Sequence, residues 1–303
     1  MYKLIFLSTL FFSAAYFTSC AQNEAGDSST LTWEAVQDST DRVHSITGFS
    51  GPEAVRYDPA QDVYFVSNFA GGGGDRDENG FISKVNADGT IESLQFITGT
   101  ENHPLHAPRG MYFTGDTLWA ADIDGVHGFN STTGEQVRFI DFTEFEPGFL
   151  NDIAADSEGN LYVTDTGTAR LYKAEGSSVS IIADPLPHSP NGITLAPSGD
   201  QLVLAPWNEE LTFHAWNISD ESLTEFDRAA GGGNFDGIEF VNGRLLAASQ
   251  VDSSLHVIAN GEDHLLIHTP GRPADIGLDT RRNQVAVPYI ALNRVDIWQL
   301  PEN

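Results

Sequence analysis

Six positions in the sequence share one setting: Glu53, Arg109, Asn151, Asn191, Asp236 and Ala274. Each stands just ahead of a short apolar run in a recurring phrase. The copies are Gly51-Pro52-Glu53-Ala54-Val55, Ala107-Pro108-Arg109-Gly110-Met111, Phe149-Leu150-Asn151-Asp152-Ile153, Ser189-Pro190-Asn191-Gly192-Ile193, Asn234-Phe235-Asp236-Gly237-Ile238 and Arg272-Pro273-Ala274-Asp275-Ile276. Glu53, Asn151, Asn191 and Asp236 carry side-chain oxygens, two as carboxylates and two as carboxamides. An all-oxygen donor set suits a hard cation, Ca²⁺ first, then Mg²⁺ or Mn²⁺, with Zn²⁺ a poorer fit. Two carboxylates converging without a cation would raise each other's pKa at a cost. A single Asn or Asp in such a phrase reads as a turn former. Four at one repeat position favour a shared metal or ligand site. Arg109 fills the neighbouring slot, suited to hold a substrate oxygen or to neutralise an acid.

The elements that must position these residues follow from the spacing. The first unit runs 56 residues from Glu53 to Arg109, and the others run 38 to 45. Four-stranded propeller blades repeat at about 40–50 residues. Each unit reads as a strand at the anchor, a turn rich in Gly, Asn, Asp or Pro, and a second apolar run, as at Val63–Ser67 or Gln201–Ala205. A third strand follows, as at Phe81–Val85 or Arg294–Trp298, and a fourth closes all units but the last. The strand-like stretch Val43–Phe49 stands before the first anchor and is expected to complete the last blade, which removes an open sheet edge. The prediction is an all-β, six-bladed β-propeller. A pair of β-sandwiches or another blade number explains the repeated phrase poorly. In a propeller the first strand of each blade lines the central channel, so all six anchors are expected at one mouth. Second strands run back, which brings Asn68, Asp122, Asp165 and Ser249 to the same face. A lone Asp122 or Asp165 there reads as a turn former before a catalyst.

The motifs Gly51-Pro52-Glu53, Asn151-Asp152, Ser189-Pro190-Asn191-Gly192 and Phe235-Asp236-Gly237 resemble the gluconolactonase/regucalcin family of six-bladed propellers, with kinship to paraoxonase-like and strictosidine-synthase-like ones. The resemblance implies Glu53, Asn191 and Asp236 as ligands of a divalent metal, with Asn151 touching metal or substrate. It implies hydrolysis of a lactone, a small-molecule substrate. There a cation polarises the carbonyl and a carboxylate activates water, Asp236 as first candidate and His106 as second. An isolated loop histidine such as His106 also reads as a surface residue. Phe149 stands where family members often carry Arg, with Arg109 the substitute at hand, and Ala274 brings no functional group. The alternative is a non-catalytic propeller that binds a ligand or protein at the same mouth around a structural cation.

Residues 1–19 read as a secretory leader, with Lys3 in the charged region and an apolar run from Leu4 to Phe17. Phe17-Thr18-Ser19-Cys20 resembles a bacterial lipobox and holds the chain's one cysteine. The expectation is a monomer lipid-anchored through Cys20 in a bacterial envelope, on its periplasmic or surface side, with plain secretion as the alternative. Residues 20–31 are small and polar, a flexible tether, and residues 32–303 form the propeller. Formal net charge is −28, from 43 acids against 15 lysines and arginines, which disfavours nucleic acid as a partner.

Two loop stretches complete the reading. Asp75-Arg76-Asp77-Glu78-Asn79-Gly80 matches the first half of an EF-hand loop, but Asn86 stands at the twelfth position. An acidic loop leading into a strand is the better assignment. Gly71–Gly74 lacks the Lys and helix of a phosphate-binding loop and is expected to be a mobile lid over the anchors, with Gly231–Gly233 serving similarly. Amides of Gly71–Gly74 should exchange with deuterium faster than those of the strands and slow when ligand binds. Protection equal to that of the strands in both states would exclude a lid.

Overall fold

The computed structural model describes residues 41–208 and 210–302, so the leader, Cys20 and the tether lie outside the described residues. Six four-stranded antiparallel sheets account for the strands. Blade 6 opens the chain with β1 (Arg42–Thr47). Blade 1 is β2 (Pro52–Asp58), β3 (Val63–Asn68), β4 (Phe81–Asn86) and β5 (Ile91–Ile97). Blade 2 is β6 (Met111–Thr114), β7 (Thr117–Ala121), β8 (Gly125–Asn130) and β9 (Gln136–Asp141). Blade 3 is β10 (Leu150–Ala155), β11 (Leu161–Asp165), β12 (Arg170–Glu175) and β13 (Ser178–Ala183). Blade 4 is β14 (Pro190–Leu195), β15 (Gln201–Pro206), β16 (Thr212–Asn217) and β17 (Ser222–Arg228). Blade 5 is β18 (Phe235–Val241), β19 (Arg244–Ser249), β20 (Ser254–Ala259) and β21 (Glu262–His268). Blade 6 resumes with β22 (Gly277–Asp279), β23 (Gln284–Tyr289) and β24 (Arg294–Gln299). The all-β propeller and its six blades are as the repeat predicts.

The inner two strands of each blade are covered on both faces, which is why β2, β3 and β10 read as apolar runs and not as alternations. Alternation survives on the rim, where one face is wet, as in β5. The core lies between blades. Ala121, Val126 and Ile140 of blade 2 pack on Leu150, Ile153 and Val163 of blade 3, and similar clusters fill the other joints.

β1 pairs antiparallel with β24, Ile46 opposite Val295 and Thr47 opposite Arg294, and thereby supplies the strand that blade 6 lacks. Ile46 is buried against Val55, Val295 and Ile297. The stretch Phe81–Asn86 is strand β4, as expected, and the acids before it serve their own loop. Asp77 Oδ1 accepts the Asn79 N–H at 3.1 Å and Asp75 Oδ2 the Gly72 N–H at 3.1 Å.

Pro190-Asn191-Gly192 is a turn signal by its residue types, yet all three residues belong to β14. Gly192 and Gly237 are absent from the residues with positive φ. They are glycines for packing, as described below.

If β1 seals the ring through burial, Ile46→Ala should lower unfolding free energy by about 2–4 kcal/mol in chemical denaturation. Val43→Ala, at a side chain 42% exposed, should change it by less than about 0.5 kcal/mol.

Candidate functional site

The four oxygen-bearing anchors each sit on a local fault in their blade. In β2, Pro52 pairs with Asn68 and Val55 with Val66, so Glu53 and Ala54 together face Ser67 alone. The same two-against-one arrangement sets Asn151 and Asp152 against Thr164, Asn191 and Gly192 against Ala205, and Asp236 and Gly237 against Ala248. These are β-bulges, which bend a strand and re-aim its side chains. Ser67 and Thr164 repair two of the faults: the Ser67 hydroxyl accepts the Ala54 N–H at 2.9 Å, and that of Thr164 accepts the Asp152 N–H at 3.0 Å.

The residues at the ends of the second strands hold the loops that lead into the anchors. The side chains of Asn68, Asp122, Asp165 and Ser249 accept backbone N–H groups of Ser50, His106, Gly148 and Gly233, each three positions before its anchor. Asp122 also takes the Ala107 N–H, and Asp165 that of Phe149. These acids are pins for backbone, in keeping with the turn-former reading.

Glu53, Asn151, Asn191 and Asp236 come together at the floor of a cavity of about 540 Å³. All four are buried, and each has an oxygen with no hydrogen-bond partner: Glu53 Oε2, Asn151 Oδ1, Asn191 Oδ1 and Asp236 Oδ1. Buried acceptors without partners are rare and costly. For Asn151 the orientation is fixed. The Thr166 hydroxyl donates to the Pro190 carbonyl at 2.7 Å, so it accepts from Asn151 Nδ2 at 3.1 Å, and Oδ1 is left facing away from it. Gln250 Nε2 likewise donates to Asp236 Oδ2 at 2.7 Å and leaves Oδ1 free. Four unpartnered oxygens, two of them on acids, fit a hard divalent cation.

Phe69, Phe149, Trp207 and Ile290 form the apolar part of the cavity lining. Arg109 is almost fully buried. Its guanidinium lies 3.8 Å from the centre of the Phe149 ring and 5.8 Å from that of Phe69. Nη2 donates to the Gly73 carbonyl of the glycine-rich loop, while Nε and Nη1 have no partner. His106 does not line the cavity; its Nδ1 accepts the Glu78 N–H at 3.2 Å. Ala274 is buried and brings no donor or acceptor side chain.

A second layer escaped the sequence reading. Arg56, the residue that follows blade 1's phrase, donates through Nε to the Met111 carbonyl and pairs with Glu239, with Asp275 at 3.4 Å and Asp152 at 3.6 Å. Asp152 Oδ2 accepts the Ile193 N–H of the next blade at 2.9 Å. A Cβ at Gly110 would collide with the Asp152 carboxyl, and one at Gly237 with that of Asp275. At the repeat position after the anchor, Asp152 and Asp275 thus face the small Gly110 and Gly237, while Gly192 makes room for the Asp236 backbone carbonyl. That pairing of acid with glycine was the signal available in the sequence.

The charges do not balance within the protein. Burial and then Asp236 push the Glu53 carboxyl well above its usual range. Burial raises Asp236 to about 7, against an ordinary 3.8. Asp152 and Asp275 are also raised by burial, despite Arg56. Arg109 is held below its ordinary value by burial, which outweighs the pull of Glu53.

No family model matches the sequence, and the search of curated proteins finds no match. Solved structures do match in fold. A gluconolactonase from Xanthomonas campestris superposes with a TM-score of 0.62 at 17% identity, over 86% of this chain and 92% of its own. A calcium-binding regucalcin from Agrobacterium tumefaciens gives 0.63 at 15%, over 84% and 91%. The virginiamycin B lyase from Staphylococcus aureus gives 0.60 at 13%, over 85% and 99%. The shared feature is the propeller.

The raised Asp236 pKa sets a pH dependence. Between about 4 and about 7 the folded, cation-free protein holds a proton that the unfolded chain releases, so stability falls as pH rises through that window. Melting of chelated protein should show this loss between pH 5 and 8. Asp236→Asn should flatten it, and Ca²⁺ should restore stability at pH 8.

Proposed function

We propose that the chain is a divalent-cation-dependent hydrolase of lactones, related to the gluconolactonase and regucalcin propellers whose fold it shares. The observation that carries this reading is the set of unpartnered buried oxygens on Glu53, Asn151, Asn191 and Asp236. These residues would hold the cation, Ca²⁺ being the first candidate. When bound, it supplies polarisation of the ester carbonyl and stabilises negative charge on the carbonyl oxygen.

The remaining work falls to the chain's own groups. Asp236, oriented by Gln250, is the base for the attacking water. Arg109 does not line the cavity; it backs the lining rings of Phe149 and Phe69 and acts as a positioning residue whose charge lies near Glu53. Phe69, Phe149, Trp207 and Ile290 exclude water and favour a lactone with a hydrocarbon part. His106, outside the cavity lining, is left without a part in the reaction. The leader and Cys20 of the sequence support export and lipid anchoring in a bacterial envelope.

The test is hydrolysis of a panel of aldonolactones and N-acyl homoserine lactones by Ca²⁺-loaded and chelated protein. Activity should vanish with chelator and return with Ca²⁺. Asp236→Asn should reduce kcat/KM by about 100-fold or more. Folded, Ca²⁺-loaded protein inert on the whole panel would replace this reading with that of a ligand-binding propeller.

A further inference from the structure

We propose that Asp122, Asp124 and His127 form a second divalent-cation site, suited to Zn²⁺ or Mn²⁺ and separate from the channel. None of the three lines the cavity. One ligand atom from each lies within 4.8 Å of the others. His127 Nε2 is 3.9 Å from Asp122 Oδ2 and 3.7 Å from Asp124 Oδ1. Those separations are too long for hydrogen bonds. They match two ligands of one ion: at about 2 Å from the metal, neighbouring ligand atoms stand roughly 3–3.5 Å apart, within a small side-chain adjustment.

The imidazole is the independent sign of a ligand. His127 is fully buried, and its Nε2 has no hydrogen-bond partner while facing the two acids. Asp124 Oδ1 has none either. The ring is fixed by Phe139, with centroids 4.8 Å apart, and by Gln136, whose amide nitrogen Nε2 stands 3.0 Å from Nδ1, so that an ion at the imidazole Nε2 requires the amide to turn over. With the Gln136 oxygen turned to Nδ1, that nitrogen carries the proton and Nε2 offers its lone pair, the arrangement usual for metal-bound histidine. The Thr100 hydroxyl, 3.0 Å from the other end of the amide, donates or accepts equally well, so the turn gives up only the long 3.4 Å contact from Gln136 Nε2 to the exposed Arg138 carbonyl.

The donor set differs from that of the channel. Two carboxylates and an imidazole select borderline ions, whereas the oxygen-only channel favours Ca²⁺. Asp122 and His127 are enclosed and Asp124 is 19% exposed, so an ion would reach the site past Asp124. Asp122 also pins the backbone of His106 and Ala107, and Asp124 lies 3.9 Å from Arg76 of the insertion. An ion here would tie together the two loops that flank Arg109.

The experiment is calorimetric titration of Zn²⁺ into the Ca²⁺-saturated protein. The native chain should take up one more equivalent than either His127→Gln or Asp124→Asn, and Asp236→Asn should keep that equivalent. Asp124→Asn is nearly isosteric at a partly exposed position, so it decides the matter should His127→Gln fail to fold. Equal Zn²⁺ uptake by native protein and Asp124→Asn, or none by native protein, would overturn the proposal.

Discussion

The bulge at the head of the inner strand in blades 1, 3, 4 and 5 is the constraint on which the site depends. A regular strand turns successive side chains to opposite faces. With two residues set against one, Asn151 contributes to the cavity floor while Asp152, its neighbour, reaches Arg56 and the Ile193 amide. The same fault in blades 1, 4 and 5 puts Glu53, Asn191 and Asp236 on the floor. The mouth is built from one backbone irregularity repeated around a ring, and the side chains are variations upon it.

Repetition also concentrates charge. Glu53, Asp152, Asp236 and Asp275 are buried around the channel, with Arg56 and Arg109 as the buried cations nearby. Arg56 serves the deeper acids, and burial of Arg109 beside two aromatic rings leaves Glu53 and Asp236 without an ion-pair partner among the described residues. Burying like charges in this way is tolerable when a cation, or protons, complete the set. The aromatic cover over Arg109 also explains Phe149: its ring offers a face to a guanidinium that arrives from the neighbouring blade.

Much of this was legible in the sequence, because a propeller repeats its grammar. The six phrases gave the blade count, the closing strand and the residues of the cavity floor. The second layer was not legible for a physical reason. Asn-Gly and Asp-Gly are strong turn signals, and here the glycines instead yield space to an adjacent blade, Gly192 to the Asp236 backbone carbonyl and Gly237 to the Asp275 carboxyl and Ile276 amide. Arg56 sits inside an apolar run, and only the three-dimensional ring shows which acids surround it. His106 had the right chemistry for a base, yet its ring is turned to the insertion's backbone.

The seal of blade 6 has a consequence for how the chain reaches this state. Ile46 meets Val295, so the pairing joins segments about as far apart as the described chain allows. Contacts of that span form late, since the loop they close must first be ordered. Until β24 is made, β23 is the bare outer edge of blade 6, and β1 has no sheet to join. Closure of the ring is thus a late event, and the cavity, which draws on blades 1, 3, 4, 5 and 6, gains its final geometry only with it.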